Sequence, residues 1–446
     1  MSIANQVMPY RTRPSRPHNN HHHQHQQQNL PYARPPQKET RFPDGNAHRQ
    51  NEKSRPPFVH KLKSPDPTKS DNPSMFDRDF PHCPDRRQKY MTIAKIGQGT
   101  FGEVFKAKNQ ETGQVVALKK ILIEKDQASA GFPVTALREI KILNNLKRVP
   151  TDNIVQLIEI CRTRFDPKEG RRPEIHLVFE FCDHDLAGLL QNKKVNFSMG
   201  EKKKLSYMLF EGLFALHKNK ILHRDIKSAN ILITKKGVLK IADFGLARPF
   251  SYPKQGKENR YTNRVVTLWY RPPELLLGER NYGPAIDVWG AGCVMAELWT
   301  RTPLLQGSNE QDMLEKIQRF VGGINTESWP GVEKYPSFRN ALQGKPITKE
   351  KSKIFKNLGR YLRDENGLKL VEQLLTLKPE NRWDCDTVLD HDFFWTDPMP
   401  CSLEETLSKL HKSLFDFTES LPQQMKHAQH SAAKKPAFTG LVDRVF

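Results

Sequence analysis

The feature that most constrains this chain is the run His223-Arg224-Asp225-Ile226-Lys227-Ser228-Ala229-Asn230, followed after a short strand-like stretch by Asp243-Phe244-Gly245. A chain carrying both must fold so that two loops converge. Phosphoryl transfer leaves a protein little covalent work: it needs one carboxylate to orient the attacking hydroxyl and oxygen ligands to hold Mg²⁺ on the phosphates. Asp225 suits the first task, and Asn230 with Asp243 suits the second.

Order along the chain strengthens this reading. Gly97-Gln98-Gly99-Thr100-Phe101-Gly102 stands first, with Glu103-Val104 directly after it. Glycines let a backbone approach phosphates where a side chain would collide. Val116-Ala117-Leu118-Lys119 comes next, an apolar run ending in lysine, with Lys120 immediately behind. Neighbours on a strand point to opposite faces, so only one lysine shares the cleft with Ala117, and Lys119 is the one assigned to it. Pro133 to Glu139 then reads as a helix start, with proline in the first turn and Leu137, Ile140 and Leu143 at helical spacing. An isolated glutamate such as Glu139 is ordinarily a solvated helix carboxylate.

In this order the motifs resemble the protein kinases. The resemblance implies an α+β, bilobal fold: a small, mostly antiparallel β lobe over about residues 88–181 and a large, mostly α-helical lobe over about 182–396, together a domain of 86–396. It implies ATP as substrate and Mg²⁺ as cofactor. By resemblance the nucleotide site takes Ile96, Gly97, Gln98, Gly99, Thr100, Phe101, Gly102, Glu103 and Val104 over the phosphates. Ala117, Lys119, Glu180, Phe181, Cys182, Asp185, Leu232 and Asp243 complete it. Phe179 would limit its depth. The catalytic set is Asp225, Lys227, Lys119 and Glu139, the last pairing with Lys119. Lys227, two residues after Asp225, is the serine/threonine-kinase pattern and would neutralise charge on the transferred group.

Composition agrees with a kinase flanked by tails. Only 37% of the 446 residues are hydrophobic, so a sizeable part is expected outside the fold. Residues 1 to 85, with the His21 to Gln28 tract, Pro35-Pro36 and Pro56-Pro57, read as a disordered basic tail, and 397–446 as a flexible extension. The six cysteines show no Cys-x-x-Cys spacing, no secretory signal opens the sequence and no apolar run is of membrane length. These argue for a soluble protein of the cytosol or nucleus. A formal charge of +21 favours acidic partners, or nuclear import through segments such as Arg86-Arg87 and Lys434-Lys435.

The stretch Arg260-Tyr261-Thr262-Asn263-Arg264-Val265-Val266-Thr267-Leu268-Trp269-Tyr270-Arg271-Pro272-Pro273-Glu274 resembles the activation segment of cyclin-dependent kinases. The resemblance implies that an activating kinase phosphorylates Thr262 and that Arg138, Arg224 and Arg248 gather around the phosphate. It also implies an unusual Val266 backbone with its carbonyl turned to Arg271, leaving an environment that suits a substrate proline, which has no N–H. Substrates would then be Ser-Pro or Thr-Pro sites. Glu274 is expected to pair with Arg382, and Pro133 to Glu139 resembles the cyclin-contacting helix motif.

Phe101 stands where cell-cycle members carry tyrosine, and Pro272 replaces the usual alanine, a feature of transcription-directed relatives. The likeness to the transcription-elongation branch runs from Ala94 to Pro400. Ile226-Lys227-Ser228 beside the catalytic Asp and a longer Arg148 to Asn153 connection depart from it. It implies a T-type cyclin as partner, the RNA polymerase II C-terminal domain and elongation factors as substrates, and a nuclear location. Two other classes stand beside it. A pseudokinase scaffold would lack one of Lys119, Asp225 or Asp243, and all are present. A nucleic-acid-binding role through the basic tail fits the charge, but no recognition motif accompanies it.

Overall fold

The computed structural model describes residues 83–99, 102–122, 133–163, 174–252, 259–341 and 351–410. The expected tail up to residue 82 with its His tract, Thr100 and Phe101 of the Gly-rich loop, and residues 411–446 with Lys434-Lys435 lie outside the described residues.

The small lobe is built on strands β1 (Tyr90–Gly99), β2 (Gly102–Asn109), β3 (Val115–Ile121), β4 (Leu157–Arg162) and β5 (Ile175–Glu180). They form one antiparallel sheet in the order β1-β2-β3-β5-β4. Strand alternation separates the two lysines as expected. Lys119, paired with Val104 and Leu177, is 3% exposed, whereas Lys120 reaches Glu174 at the lobe surface, 2.5 Å away.

Helix α1 (Val134–Leu146) begins directly after Pro133, whose fixed φ of −57° suits a helix entrance. Its inward face is Ala136, Glu139, Ile142, Leu143 and Leu146. Of the stripe expected through Leu137, Ile140 and Leu143, Leu143 is buried and Ile140 packs partly buried against the core, while Leu137 is 47% exposed, and Val134 one turn before it 68%.

In the large lobe α2 (Met199–Lys218) starts with a capping box between Ser198 and Glu201. It buries the expected stripe of Leu205, Met208, Leu209, Leu213 and Leu216. Helix α3 (Ala285–Thr300) is buried at every residue from Ile286 to Trp299, as its all-round apolar sequence foretells. A Cβ at Gly290 would lie 3.1 Å from Ile226, so glycine there lets α3 pack against the loop carrying Asp225.

The packed body exceeds the expected boundaries of 86 and 396. Arg162 donates its backbone N–H to Pro84 at 3.1 Å, tying the chain to β4 before β1 begins. At the other end Cys401 donates to Gly200 at 3.2 Å, and Leu403 and Leu407 are buried at 1% and 4% exposure. The extension expected to be flexible from 397 is packed through Leu410, because these leucines have large-lobe surface to cover.

Arg382 and Glu274 form a bidentate pair, both bonds 2.6 Å, with side chains 0% and 1% exposed. The remaining guanidinium donors reach the carbonyls of Thr376, Ala285 and Leu377. All five N–H groups of the fork are thus satisfied. The pair braces the end of the activation segment against the large lobe. Arg382→Ala, by stranding a buried carboxylate, is expected to lower stability by about 3–5 kcal/mol, read from urea unfolding midpoints; a loss near zero would mean Glu274 finds another partner.

Candidate active site

The cleft between the lobes is lined by Ile96 and Val104 from the first hairpin, Ala117 and Lys119 from β3, Glu180 at the end of β5, and Phe181 and Cys182 after it. Leu232, Glu139 and Asp243 also face it. Phe179 closes its depth, with Val155 and Ala242, which sequence reasoning did not name.

The Gly-rich hairpin covers this space in the register Gly97 to Val104, Gln98 to Glu103 and Gly99 to Gly102. Lys95 holds its two sides by donating to Gln98 and Glu103. Gly102 has φ +153°, and a Cβ there would sit 2.1 Å from the Lys120 carbonyl, so no other residue fits. Asp185 stands apart from the residues lining the cleft. Its carboxylate accepts from Gly188 N–H at 2.7 Å and caps the helix Leu186–Gln191.

At the back of the cleft the Lys119 ammonium lies 2.8 Å from Glu139 and 3.1 Å from Asp243. All three are buried. Burial alone would depress the lysine pKa, but the Asp243 and Glu139 carboxylates outweigh it and hold it above the ordinary lysine range. Burial pushes the Glu139 carboxyl up, and Lys119 only partly offsets this. For Asp243 the balance reverses: burial opposes ionisation, yet Lys119 keeps the carboxyl below its usual range.

Asp225 is held from several sides. Thr267 Oγ1 donates to its Oδ1 at 2.7 Å and Thr267 N–H to the same oxygen at 3.1 Å. Lys227 Nζ lies 3.0 Å from Oδ2 and donates to Thr267 Oγ1 at 3.2 Å. The loop backbone is pinned by Asp287, whose oxygens accept the N–H groups of His223 and Arg224, both at 2.8 Å. Thr267 lies in the expected activation segment and Asp287 in an apolar helix, but only the fold reveals their contacts with the catalytic loop.

The site fits a magnesium ion. The Asn230 amide nitrogen donates to Asp225 O at 2.8 Å and to Asp225 Oδ2 at 3.0 Å, which settles the amide's orientation. Its Oδ1 is left buried without a hydrogen-bond partner. An orphaned buried acceptor is costly unless something binds it. Among the described residues no group of three His, Cys, Asp or Glu could hold a metal. Mg²⁺ instead takes one or two protein oxygens and completes its shell with water and phosphates.

In the activation segment Val266 has φ +67°, strained for a β-branched residue. Arg271 donates to its carbonyl from Nε at 3.2 Å and Nη2 at 3.0 Å, as the sequence led one to expect. Thr262 is exposed, and its carbonyl accepts from Tyr282 Oη at 2.6 Å. Tyr282 in turn accepts from Arg224 Nη1. Burial lowers the pKa of Arg248, and Arg224 and Arg138 lower it further, so the three cations feel one another.

Residues 90–394 match the protein kinase domain family. Among curated relatives, cyclin-dependent kinase 9 of Xenopus tropicalis is 52% identical over 377 residues, covering 82% of this chain and 98% of that one. The Homo sapiens protein of the same name is 52% identical over 82% and 99%. A crystal structure of the yeast RNA Pol II CTD kinase CTDK-1 complex is similar at TM-score 0.62 and 38% identity, covering 70% of this chain and 95% of that chain. The CAK complex of Chaetomium thermophilum bound to ATP-gamma-S is similar at TM-score 0.62 and 34% identity, covering 72% and 95%. With the cleft, the buried lysine and the paired loops all in place, the chain belongs to the protein kinase family and, within it, to the family of cyclin-dependent kinase 9.

Proposed function

We infer that this serine/threonine kinase transfers the γ-phosphate of ATP to Ser-Pro and Thr-Pro sites while bound to a cyclin, a T-type cyclin by its likeness to cyclin-dependent kinase 9. The RNA polymerase II C-terminal domain and elongation factors are the substrates this reading assigns, and the nucleus is its place of action. The observation that carries it is the Asp225 carboxylate, held by Thr267, Lys227 and Asn230 beside a cleft that contains a charged Lys119.

Each residue then has a task. Asp225 orients the substrate hydroxyl and accepts its proton, and Lys227 sits where charge develops. Lys119, fixed by Glu139, anchors the phosphates beneath the Gly-rich hairpin. Asn230 and Asp243 would hold Mg²⁺, which supplies charge neutralisation on the phosphates. The Val266 carbonyl, already engaged by Arg271, asks nothing of the substrate backbone behind the phosphorylated residue, so proline, lacking an N–H, is accepted without loss.

The outward face of α1 supports the cyclin. Val134 and Leu137 expose apolar side chains there, and the same helix carries Glu139 inward. A partner covering that face would hold the Lys119–Glu139 contact closed. Phosphate on Thr262 would relieve repulsion among Arg138, Arg224 and Arg248.

The kinase–cyclin complex should lose activity by a factor on the order of 10³ or more in Asp225→Asn, with cyclin binding retained, in a peptide phosphorylation assay; substantial residual turnover would remove Asp225 from its role. Thr262→Ala is expected to cut activity at least about tenfold, since the arginine cluster stays unneutralised. A variant as active as wild type would show that the segment is ordered some other way. For peptides, replacing the proline after the target serine by alanine should lower kcat/KM sharply, and equal rates would discard the proline reading.

A further inference from the structure

Ser228 lies in the catalytic loop, and nothing in the reaction described above uses it. Its hydroxyl is 1% exposed and takes part in a closed triangle of oxygens. Ser228 Oγ lies 2.9 Å from Glu297 Oε1, Tyr270 Oη lies 2.8 Å from Glu297 Oε2, and the two hydroxyls lie 3.1 Å from each other. Each corner comes from a different element: the catalytic loop, the end of the activation segment, and central helix α3. Tyr270 precedes Arg271, which holds the Val266 carbonyl.

Counting protons decides how this triangle is held. Three oxygen–oxygen contacts need three hydrogens. The two hydroxyls supply two, so an ionised Glu297 leaves one edge without a proton and a buried charge without a cation in hydrogen-bonding contact. A protonated Glu297 supplies the third: its O–H donates to one hydroxyl, that hydroxyl to the next, and the last back to the Glu297 carbonyl oxygen. Burial pushes the Glu297 carboxyl up to about 7, the hydrogen bonds from Tyr270 and Ser228 pulling the other way. The other titratable groups facing it stay neutral through this range: burial raises the Tyr270 hydroxyl and the Cys293 thiol well above their usual values. Arg382 lies further off, in contact with Glu274.

We propose that Ser228 is a positioning residue, closing a ring with Tyr270 and protonated Glu297 that locks the catalytic loop onto the substrate-binding end of the activation segment. When Glu297 ionises, both hydroxyls donate to its carboxylate and the Ser228–Tyr270 edge, the one that joins the catalytic loop directly to the activation segment, is left without a proton and opens. Opening loosens Asp225 relative to the Val266 and Arg271 platform, and turnover falls as pH rises through neutrality. This rests on the kinase reading above, specifically on Asp225 and the Val266 platform serving one substrate.

Linkage gives the sign for stability. Glu297 has a folded pKa above its unfolded value, so its contribution is fully present below about 4.5 and is lost as pH rises through about 7. His176, which burial lowers to about 4, acts oppositely over an overlapping range, so wild type alone would blur the effect. Comparison with Glu297→Gln cancels His176, which both proteins share.

The test is kcat/KM of the kinase–cyclin complex on a Ser-Pro peptide at saturating Mg·ATP between pH 6 and 8.5. Glutamine offers an acceptor oxygen and an amide NH2, one of whose two hydrogens closes the ring at every pH. Relative to Glu297→Gln, wild type should decline about fivefold across the range, the loss of about one hydrogen bond. Ser228→Ala should behave at every pH as wild type does at high pH, with its pH dependence beyond that of the nucleotide removed. Superimposable profiles for wild type and Glu297→Gln would overturn the proposal, as would a Ser228→Ala enzyme that keeps the wild-type profile. If Glu297→Gln fails to fold, Tyr270→Phe replaces it as the second variant and must match Ser228→Ala in profile. Wild type inactive on any Ser-Pro peptide would instead sink the functional reading itself.

Discussion

A single ammonium holds the two lobes to one purpose. Lys119 comes from β3, Glu139 from α1 and Asp243 from the loop of the large lobe, and they meet within 3.1 Å, all three buried at the back of the cleft. Remove any one and the other two are left as buried charges with incomplete partners, a costly state in a low-dielectric site. Glu139 faces inward on α1, whose other side carries Val134 and Leu137 at the surface. The helix that readies the phosphate anchor thus also exposes the apolar side chains of Val134 and Leu137.

The activation segment shows the opposite economy. It is held by strain and repulsion as much as by attraction: Val266 at φ +67°, and Arg248 under the influence of Arg224 and Arg138. Such features persist only where surrounding structure over-determines them. Here that structure is the Glu274–Arg382 brace, Asp287 beneath the catalytic loop, and the Ser228–Tyr270–Glu297 triangle.

Much of the site was legible because its chemistry requires particular residue types at particular spacings. Asp225, Asn230 and Asp243 could be assigned from their loops, and Lys119 from strand alternation, because period-two geometry permits only one of two adjacent lysines inside. Leu205 to Leu216 could be placed on a buried helical face for the same kind of reason. Less legible were groups that act by contact across the fold. Thr267 looks like any threonine until it is seen donating to Asp225, and Asp185, assigned to the nucleotide, also caps a helix.

What the sequence determined by itself was therefore the chemistry and the order of its parts, since motif spacing and periodicity are local properties. Only tertiary structure decided which face of α1 turns inward, that Leu403 and Leu407 fasten the end of the body to the large lobe, and that Ser228, Tyr270 and Glu297 share hydrogen bonds. The last depends on residues 27 to 69 positions apart meeting in the buried core, where a hydrogen or a charge with no partner is expensive. That cost appears only once the whole chain has closed around it.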